Sequence, residues 1–201
     1  MKGVGGLLVH VSTDYVFGGD PYNTPCREEQ KGTPTGVYGV TKLHGEEAIR
    51  SVGCRHVIFR TAWLYSEDGK NFVKTMLRLA RENGKISVVN DQMGNPTSAN
   101  DLAYEILKIA TTDDYGTYHC TNNGTCSWFD FACAIVDAAG IDCEKEGLSS
   151  AEYKERFPLS ADRPAYSSLE NAHLAATVGD EMRPWQEALA TYMDRFEELA
   201  D

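Results

Sequence analysis

Y-G-V-T-K at residues 38–42 is the stretch around which the chain is organised, and S-T-D-Y at residues 12–15 precedes it. A helix over residues 36–52 places Tyr38 and Lys42 one turn apart on the same face. An ammonium at that distance favours the phenolate and so lowers the tyrosine pKa from its usual value of about 10. Such a phenol suits general acid catalysis on a carbonyl. An exposed Tyr–Lys pair without a chemical role has the same spacing.

The apolar run at residues 7–11 predicts a buried parallel strand, and Thr13 lies at its carboxyl end. In an open α/β sheet, ligands bind at that edge. The two segments are therefore expected to bring a hydroxyl, a phenol and an amine to one crevice.

Strands alternate with helices along the chain, which makes a parallel α/β sheet the default architecture. Helices are predicted at residues 37–52, 71–83, 98–110, 127–139, 149–157 and 185–199, and strands at residues 7–12, 57–59, 86–89 and 116–120. Residues 18–36 are rich in Gly, Pro, Asn and Thr and are predicted to form a loop.

Composition narrows the classes of function. The 201 residues, 42% of them hydrophobic, make one domain or one domain with a small appendage. A net charge of -11 argues against nucleic-acid binding. No apolar run approaches a membrane span and no signal peptide is visible, so we expect a cytoplasmic protein without a membrane partner. The cysteines form no C-x-x-C pair and the histidines are scattered, so no metal site is expected.

Several motifs follow one another in an order that points to a family. They are V-H-V-S-T-D-Y-V-F at 9–17, V-Y-G-V-T-K-L-H-G-E at 37–46, F-R-T-A-W-L-Y at 59–65, N-F-V-K-T-M-L at 71–77, N-D-Q-M-G-N-P-T at 90–97 and D-R-P at 162–164. Together they resemble the extended short-chain dehydrogenase/reductase family, and more narrowly its dTDP-4-dehydrorhamnose reductases. The resemblance implies reduction of dTDP-4-dehydro-β-L-rhamnose to dTDP-β-L-rhamnose by NADPH or NADH, a step in surface-polysaccharide biosynthesis.

The resemblance also implies roles for the residues of the crevice. Tyr38 is the proton donor to the C4 carbonyl oxygen, and Lys42 tunes it and bonds to the nicotinamide ribose. Thr13 polarises the same carbonyl, or is a strand-end threonine bonded to its own loop. Val11 backs the nicotinamide through its main chain, or is plain core.

On the substrate side, the resemblance implies that Thr13 and Asp14 approach the sugar, that Trp63 lines the pocket, and that Asn71 and Arg163 contact the diphosphate or nucleotide. An arginine suits phosphate because its planar fork binds two oxygens at once. The alternatives are an Asx turn at Asp14, a core position for Trp63 and a surface position for Arg163. A turn with Gln92, Asn95 and Thr97 has either a structural or a binding role.

A Gly-rich turn after a first strand, which would hold the cofactor pyrophosphate, is missing from the sequence. We therefore expect a partial Rossmann-like parallel sheet with a smaller C-terminal α/β substrate-binding region. Residues 1–90 are assigned to the remainder of the nucleotide-binding domain and residues 91–201 mostly to the sugar-nucleotide region, the two being interleaved. This chain alone is expected to expose a sheet edge, to bind NAD(P)H weakly or not at all, and to be inactive by itself.

Other functions remain open from the sequence. They are a non-catalytic regulatory subunit resembling that of methionine adenosyltransferase, another nucleotide-sugar reductase or epimerase, and a folded but inert remnant. The presence of Thr13, Tyr38 and Lys42 favours the enzyme. The expected partner is a dTDP-sugar, and a homodimer is compatible with the sequence.

Overall fold

The structure is a computed structural model that describes residues 1–19 and 22–198, with side chains described up to residue 195. The strands are β1 (Leu8–Thr13), β2 (His56–Thr61), β3 (Leu64–Tyr65), β4 (Lys85–Val89), β5 (Met93–Gly94), β6 (Thr97–Ser98), β7 (Gly116–His119), β8 (Cys126–Ser127) and β9 (Glu144–Leu148). The α-helices are α1 (Val37–Val52), α2 (Phe72–Asn83), α3 (Ala99–Ala110), α4 (Trp128–Ala138), α5 (Ser150–Arg156), α6 (Ala172–Thr177) and α7 (Trp185–Glu198), and short 3-10 helices cover Lys2–Val4 and Asp14–Val16.

The main sheet is parallel and three-stranded, in the order β1-β2-β7. Leu8 lies opposite His56 and Thr13 opposite Thr61, so the two longest strands pair over their whole length. Among the described strands β1 is one edge of this sheet and β7 the other, and Val9 and Val11 of β1 are 36% and 38% exposed. The α/β class and the parallel sheet predicted from the sequence are confirmed, and the exposed edge is present.

Three smaller pairings complete the strand layout. β3 pairs with β6 and β4 with β9, both in parallel, whereas β5 and β8 are antiparallel. Strand β7 joins the main sheet although it follows β4–β6 in the chain, and β4 pairs with a strand from the C-terminal half. Sheet membership therefore crosses the boundary at residue 90, and the division into 1–90 and 91–201 stays a prediction.

The larger of two main apolar cores lies between α2, α4, α7 and β4. Helix α2 contributes Val73, Met76, Leu77 and Ala80, which recur at helical spacing and are all buried. The second core fills the space between α3 and the main sheet. Both cores hold the helices against the strands whose ends carry the predicted site.

Local signals account for most of the helix bounds. Helix α1 covers the predicted residues and ends at Gly53, whose φ of 65° is left-handed. Helix α4 opens with a capping box in which Ser127 and Asp130 bond reciprocally. The predicted end of the last helix at residue 199 lies outside the described residues.

The sequence analysis missed β9, α6 and the two-residue strands β3, β5, β6 and β8. Strand β9 has the sequence E-K-E-G-L, which lacks the apolar pattern that predicts a strand. The strand forms because its charged side chains are paired within the fold. Glu144 bonds to Lys85 at 2.8 Å, and Glu146 bonds to Arg156 at 2.7 Å. Charge pairs with the neighbouring strand β4 and with helix α5 thus stabilise a strand with little apolar content.

Three further observations bear on the expectations from composition. All six cysteines are unpaired thiols, and burial raises the pKa of Cys26 to about 11. In the part of the chain that the structure describes, no helix is both long and apolar enough to cross a membrane. Nor do the described side chains include a group of three or more His, Cys, Asp or Glu placed to hold a metal ion.

Candidate active site

The start of α1 lies against the 3-10 helix that follows β1. A Cβ atom on Gly39 would lie only 2.1 Å from the carbonyl oxygen of Tyr15, so this approach requires a glycine. The close contact brings the rings of Tyr15 and Tyr38 together edge to face, with centroids 5.6 Å apart. Tyr38 remains 55% exposed, so its phenol is accessible to a ligand.

We predict that Gly39→Ala destabilises the protein although alanine is the better helix former. The added methyl group must displace backbone, an overpacking cost of about 1–3 kcal/mol that exceeds the propensity gain of about 1 kcal/mol. Gly45→Ala is the matched control, because a Cβ there meets nothing within 4 Å and lies in the same helix. Urea denaturation should give opposite signs for the two variants, and stabilisation by both would contradict the close approach.

Lys42 links α1 to the edge strand. Its Nζ donates a hydrogen bond of 2.7 Å to the carbonyl oxygen of Val11. The bond fixes the ammonium beside the end of β1, one helical turn from Tyr38. The structure thus brings together Tyr38, Lys42 and Val11, as the sequence analysis expects.

Thr13 and Asp14 form a buried pair at the end of β1. The Thr13 hydroxyl donates to Asp14 Oδ1 at 3.0 Å and accepts from the Tyr15 amide at 3.2 Å, while the Ser167 hydroxyl donates to Asp14 Oδ2 at 2.6 Å. Burial raises the pKa of Asp14 to about 6, although the bonds from Ser167 and Thr13 oppose the rise. In this arrangement the hydroxyl hydrogen of Thr13 points to Asp14. It becomes free for a ligand when Asp14 is protonated and itself donates, or when the hydroxyl turns.

Asp14 should make stability depend on pH in the direction opposite to a salt-bridged carboxylate. Its folded-state pKa of about 6 exceeds the ordinary value of 3.8, so its contribution is fully present below pH 3.8 and is lost as the pH rises through about 6. We predict that the stability difference between wild type and Asp14→Asn shifts against wild type by on the order of 3 kcal/mol across that window. Urea denaturation of both proteins from pH 4 to pH 8 measures it. A difference independent of pH would contradict the raised pKa.

Trp63 is held in a constrained position by Trp128 and Gly94. Its φ is 47°, the one positive value among the described non-glycine residues. Its ring stacks on Trp128 with centroids 3.6 Å apart, and a Cβ atom on Gly94 would lie 2.6 Å from it. An uncommon backbone conformation stabilised from two sides is typical of a residue that shapes a site.

Arg163 connects the tyrosines to a neighbouring cavity. Its guanidinium lies 5.2 Å from the ring centroid of Trp128. Burial raises the pKa of the Tyr15 phenol, and the charge and a hydrogen bond of Arg163 oppose that rise. Arg163 therefore lies near enough to Tyr15 to influence its phenol, the ring of Tyr15 contacts that of Tyr38, and Arg163 also borders the cavity.

The cavity has a volume of about 290 Å³ and mixes aromatic and polar walls. Its lining includes Phe72, Met76, Gln92, Trp128, Ser150, Tyr153, Lys154, Asp162 and Arg163. An elongated ligand could occupy the cavity with one end and reach Tyr38 with the other, passing Arg163. Trp63 supports this cavity from behind through its stacking on Trp128.

Three residues singled out in the sequence make contacts that stabilise the fold. Asn71 caps α2, accepting from the Lys74 amide at 3.0 Å and donating to the Ser66 carbonyl at 2.6 Å. Asn95 and Thr97 are buried, and the Asn95 amide bonds to backbone on both sides. The structure does not bring Asn71 into the cavity lining, so a substrate role for it stays a prediction without a contact behind it.

Comparison with known proteins identifies the family. Residues 1–198 match the model of the RmlD substrate binding domain. The chain belongs to the RmlD substrate binding domain family. The resemblance to dTDP-4-dehydrorhamnose reductases, drawn from the motifs, is thereby confirmed.

Several relatives of this chain are dTDP-4-dehydrorhamnose reductases, in agreement with this family. The chain is 40% identical over 197 residues to a dTDP-4-dehydrorhamnose reductase of Sinorhizobium fredii, covering 92% of this chain and 65% of the relative. Among solved structures, a dTDP-4-dehydrorhamnose reductase of Clostridium acetobutylicum superposes with a TM-score of 0.91 at 44% identity, covering 97% of this chain and 68% of that one. The Bacillus anthracis enzyme, solved in complex with NADP, has a TM-score of 0.90 at 40% identity, covering 96% and 67%. The chain thus spans about two thirds of the length of these relatives.

Within this RmlD-family site, the sequence analysis missed Tyr15 and the aromatic wall of the cavity. Phe72 and Trp128 each open a helix directly after a capping residue. Nothing in the local pattern indicates that these two helices turn their first residues toward the same space. Tyr15 belongs to the S-T-D-Y segment at residues 12–15, and its position two residues after Thr13 is the signal that could have identified it as a site residue.

Proposed function

We propose that the chain forms the substrate-binding and proton-donating part of a dTDP-4-dehydrorhamnose reductase, which converts dTDP-4-dehydro-β-L-rhamnose to dTDP-β-L-rhamnose. The observation that carries the proposal is the continuous path from the accessible Tyr38 phenol, through Tyr15 and Arg163, to an aromatic-lined cavity. A nucleotide-sugar has the same order of parts: a sugar carbonyl, a diphosphate and a flat base.

Each part of the path has a chemistry suited to one part of the substrate. Tyr38 donates a proton to the C4 oxygen, and Lys42 supplies positive charge beside it. Thr13 donates a hydrogen bond to the same oxygen once it is released from Asp14. Arg163 binds the diphosphate, since its guanidinium can pair with two phosphate oxygens.

The cofactor in this proposal is NADPH or NADH, which supplies the hydride when bound. Tyr38 and Lys42 lie beside the end of β1, where Val11 is exposed. Together these residues fit the nicotinamide and ribose of the cofactor. The residues of this chain do not fit the cofactor pyrophosphate, because the sequence has no Gly-rich turn after a strand to hold it. The prediction of weak NADPH binding by this chain alone therefore stands as part of the proposal.

The setting follows from the same proposal. We infer a cytoplasmic protein of surface-polysaccharide biosynthesis, with a dTDP-sugar as its partner and neither nucleic acid nor membrane. The net charge of -11 supports the exclusion of nucleic acid. A homodimer is compatible with the proposal and is measured by sedimentation equilibrium.

The proposal is tested by turnover. We would join the chain to the cofactor-binding segment of a relative and follow loss of NADPH absorbance with dTDP-4-dehydro-L-rhamnose. Formation of dTDP-L-rhamnose is the expected result. Failure to consume NADPH in a folded fusion that binds both ligands would overturn the assignment of the reaction.

A further inference from the structure

One buried polar atom in the cavity wall has no partner in the protein. Gln92 is only 8% exposed and lines the cavity, and its side-chain oxygen Oε1 makes no hydrogen bond. A buried acceptor without a donor costs free energy, and such atoms in native proteins usually await a ligand or an ordered water. The atom therefore points to a feature of the molecule that fills the cavity.

The orientation of the Gln92 amide is fixed by its neighbours. The Ser150 hydroxyl donates to Asp91 Oδ1 at 2.6 Å, and the Ser150 amide donates to both oxygens of the same carboxylate. A carboxylate of this kind only accepts, so the hydroxyl hydrogen of Ser150 is committed to it. Ser150 Oγ must then accept from Gln92, and the Gln92 Nε2 group lies 2.9 Å away.

Turning the amide round would set oxygen against oxygen at Ser150. The nitrogen of Gln92 is thereby held at Ser150, and Oε1 is left as an acceptor for a ligand in the cavity. The hydrogen bonds from Ser150 to Asp91 and from Gln92 to Ser150 thus determine that Gln92 presents an acceptor, and not a donor, to the cavity.

The rest of the wall favours a single flat ring. Phe72 and Trp128 have centroids 4.6 Å apart and tilted planes, and Tyr153 also borders the space. The volume of about 290 Å³ lies just below the usual range of ligand sites, which run from about 300 to 1,000 Å³. It suits one base and leaves the diphosphate and sugar outside, toward Arg163.

We propose that Gln92 selects the base of the nucleotide. Its Oε1 accepts a hydrogen bond from the ring N3–H of thymine, a 2,4-dioxopyrimidine, seated in the cavity. Cytosine presents an acceptor at N3, so the same oxygen would face another lone pair. The inference rests on the proposed function, in which this cavity receives the nucleotide end of the substrate.

The size of the discrimination follows from the cost of an unpaired buried acceptor. Sites built to bond a ligand N–H reject analogues without it because the buried partner is left unsatisfied. We expect the wild-type chain to prefer dTDP over 5-methyl-dCDP, which has the same shape, by about 10- to 100-fold.

Calorimetric titration of the full chain with dTDP and with 5-methyl-dCDP tests the proposal. Gln92→Leu should bind the two nucleotides with equal affinity, because the variant lacks the side-chain oxygen that distinguishes them. Gln186→Leu, an exposed position on α7, is the matched control and should keep the wild-type preference. A second probe needs no variant: dTDP methylated at N3 should bind wild type at least about 10-fold more weakly than dTDP.

The outcomes separate this inference from the proposed function. Tight dTDP binding with an unchanged preference in Gln92→Leu, or equal binding of dTDP and its N3-methyl analogue, would overturn the role of Gln92 while the nucleotide site stands. Failure of the wild-type chain to bind either nucleotide would overturn the nucleotide site and the role of Gln92 together.

Discussion

Tyr38→Phe should lower turnover by about 10²- to 10⁴-fold, the usual contribution of a positioned general acid, while dTDP-sugar affinity stays within about twofold of wild type. The ring remains, so the edge-to-face contact with Tyr15 remains, and only the hydroxyl that donates the proton is lost. The measurement is kcat in the cofactor-completed fusion, together with calorimetric affinity for dTDP-L-rhamnose. Such a split identifies an interaction made in the transition state and not in the bound substrate.

Tyr104→Phe is the matched control for this prediction. Tyr104 is 58% exposed, close to the exposure of Tyr38, but lies on α3 away from the site. It should leave both kcat and affinity unchanged. An equal loss of binding and turnover in Tyr38→Phe would show that the phenol holds the substrate and does not donate the proton.

The second large effect concerns the ion pair beneath the site. Glu46 is fully buried on α1 and bonds to the buried Arg60 at 2.7 Å, and the Ser12 hydroxyl donates to it at 2.6 Å. Burial would raise the pKa of Glu46, but the bonds and charge of Arg60, with those of Ser12 and Arg50, lower it overall. We predict that Glu46→Ala costs about 3–5 kcal/mol, because it leaves Arg60 as an uncompensated buried charge.

Urea denaturation measures this effect against a surface pair. Arg78 and Glu82 lie 2.6 Å apart with more than half of each side chain exposed, and Glu82→Ala should cost at most about 1 kcal/mol. Equal costs for the two glutamate variants would contradict the structural importance of the buried pair. The contrast matters for function because Ser12 immediately precedes Thr13 and Glu46 shares a helix face with Tyr38 and Lys42.

Local signals made the helices predictable. Asn71 and Ser127 are caps, and Gly53 and Gly84 adopt the left-handed conformation that ends a helix. The catalytic candidates were also within reach of the sequence, because Thr13 ends a strand and Tyr38 and Lys42 are one turn apart. The order of the motifs along the chain then indicated the family.

Tertiary contacts set the features that the sequence could not give. The sequence could not show that the Thr13 hydroxyl bonds to Asp14, because that contact accompanies the burial of Asp14 against Ser167, which is far along the chain. The cavity needs residues from α2, β4, α4 and α5, which no local pattern brings together. Gln92 could be named from its motif, but its unpaired oxygen depends on Ser150, far along the chain.

The most direct test of the central claim is calorimetric titration of this chain with dTDP-L-rhamnose, followed by NADPH. The account predicts saturable binding of the sugar nucleotide, with weak or undetectable binding of NADPH. That result would establish a working substrate site in the cavity and crevice described above. Absence of dTDP-L-rhamnose binding by the folded chain would contradict the account and favour a remnant or a regulatory module.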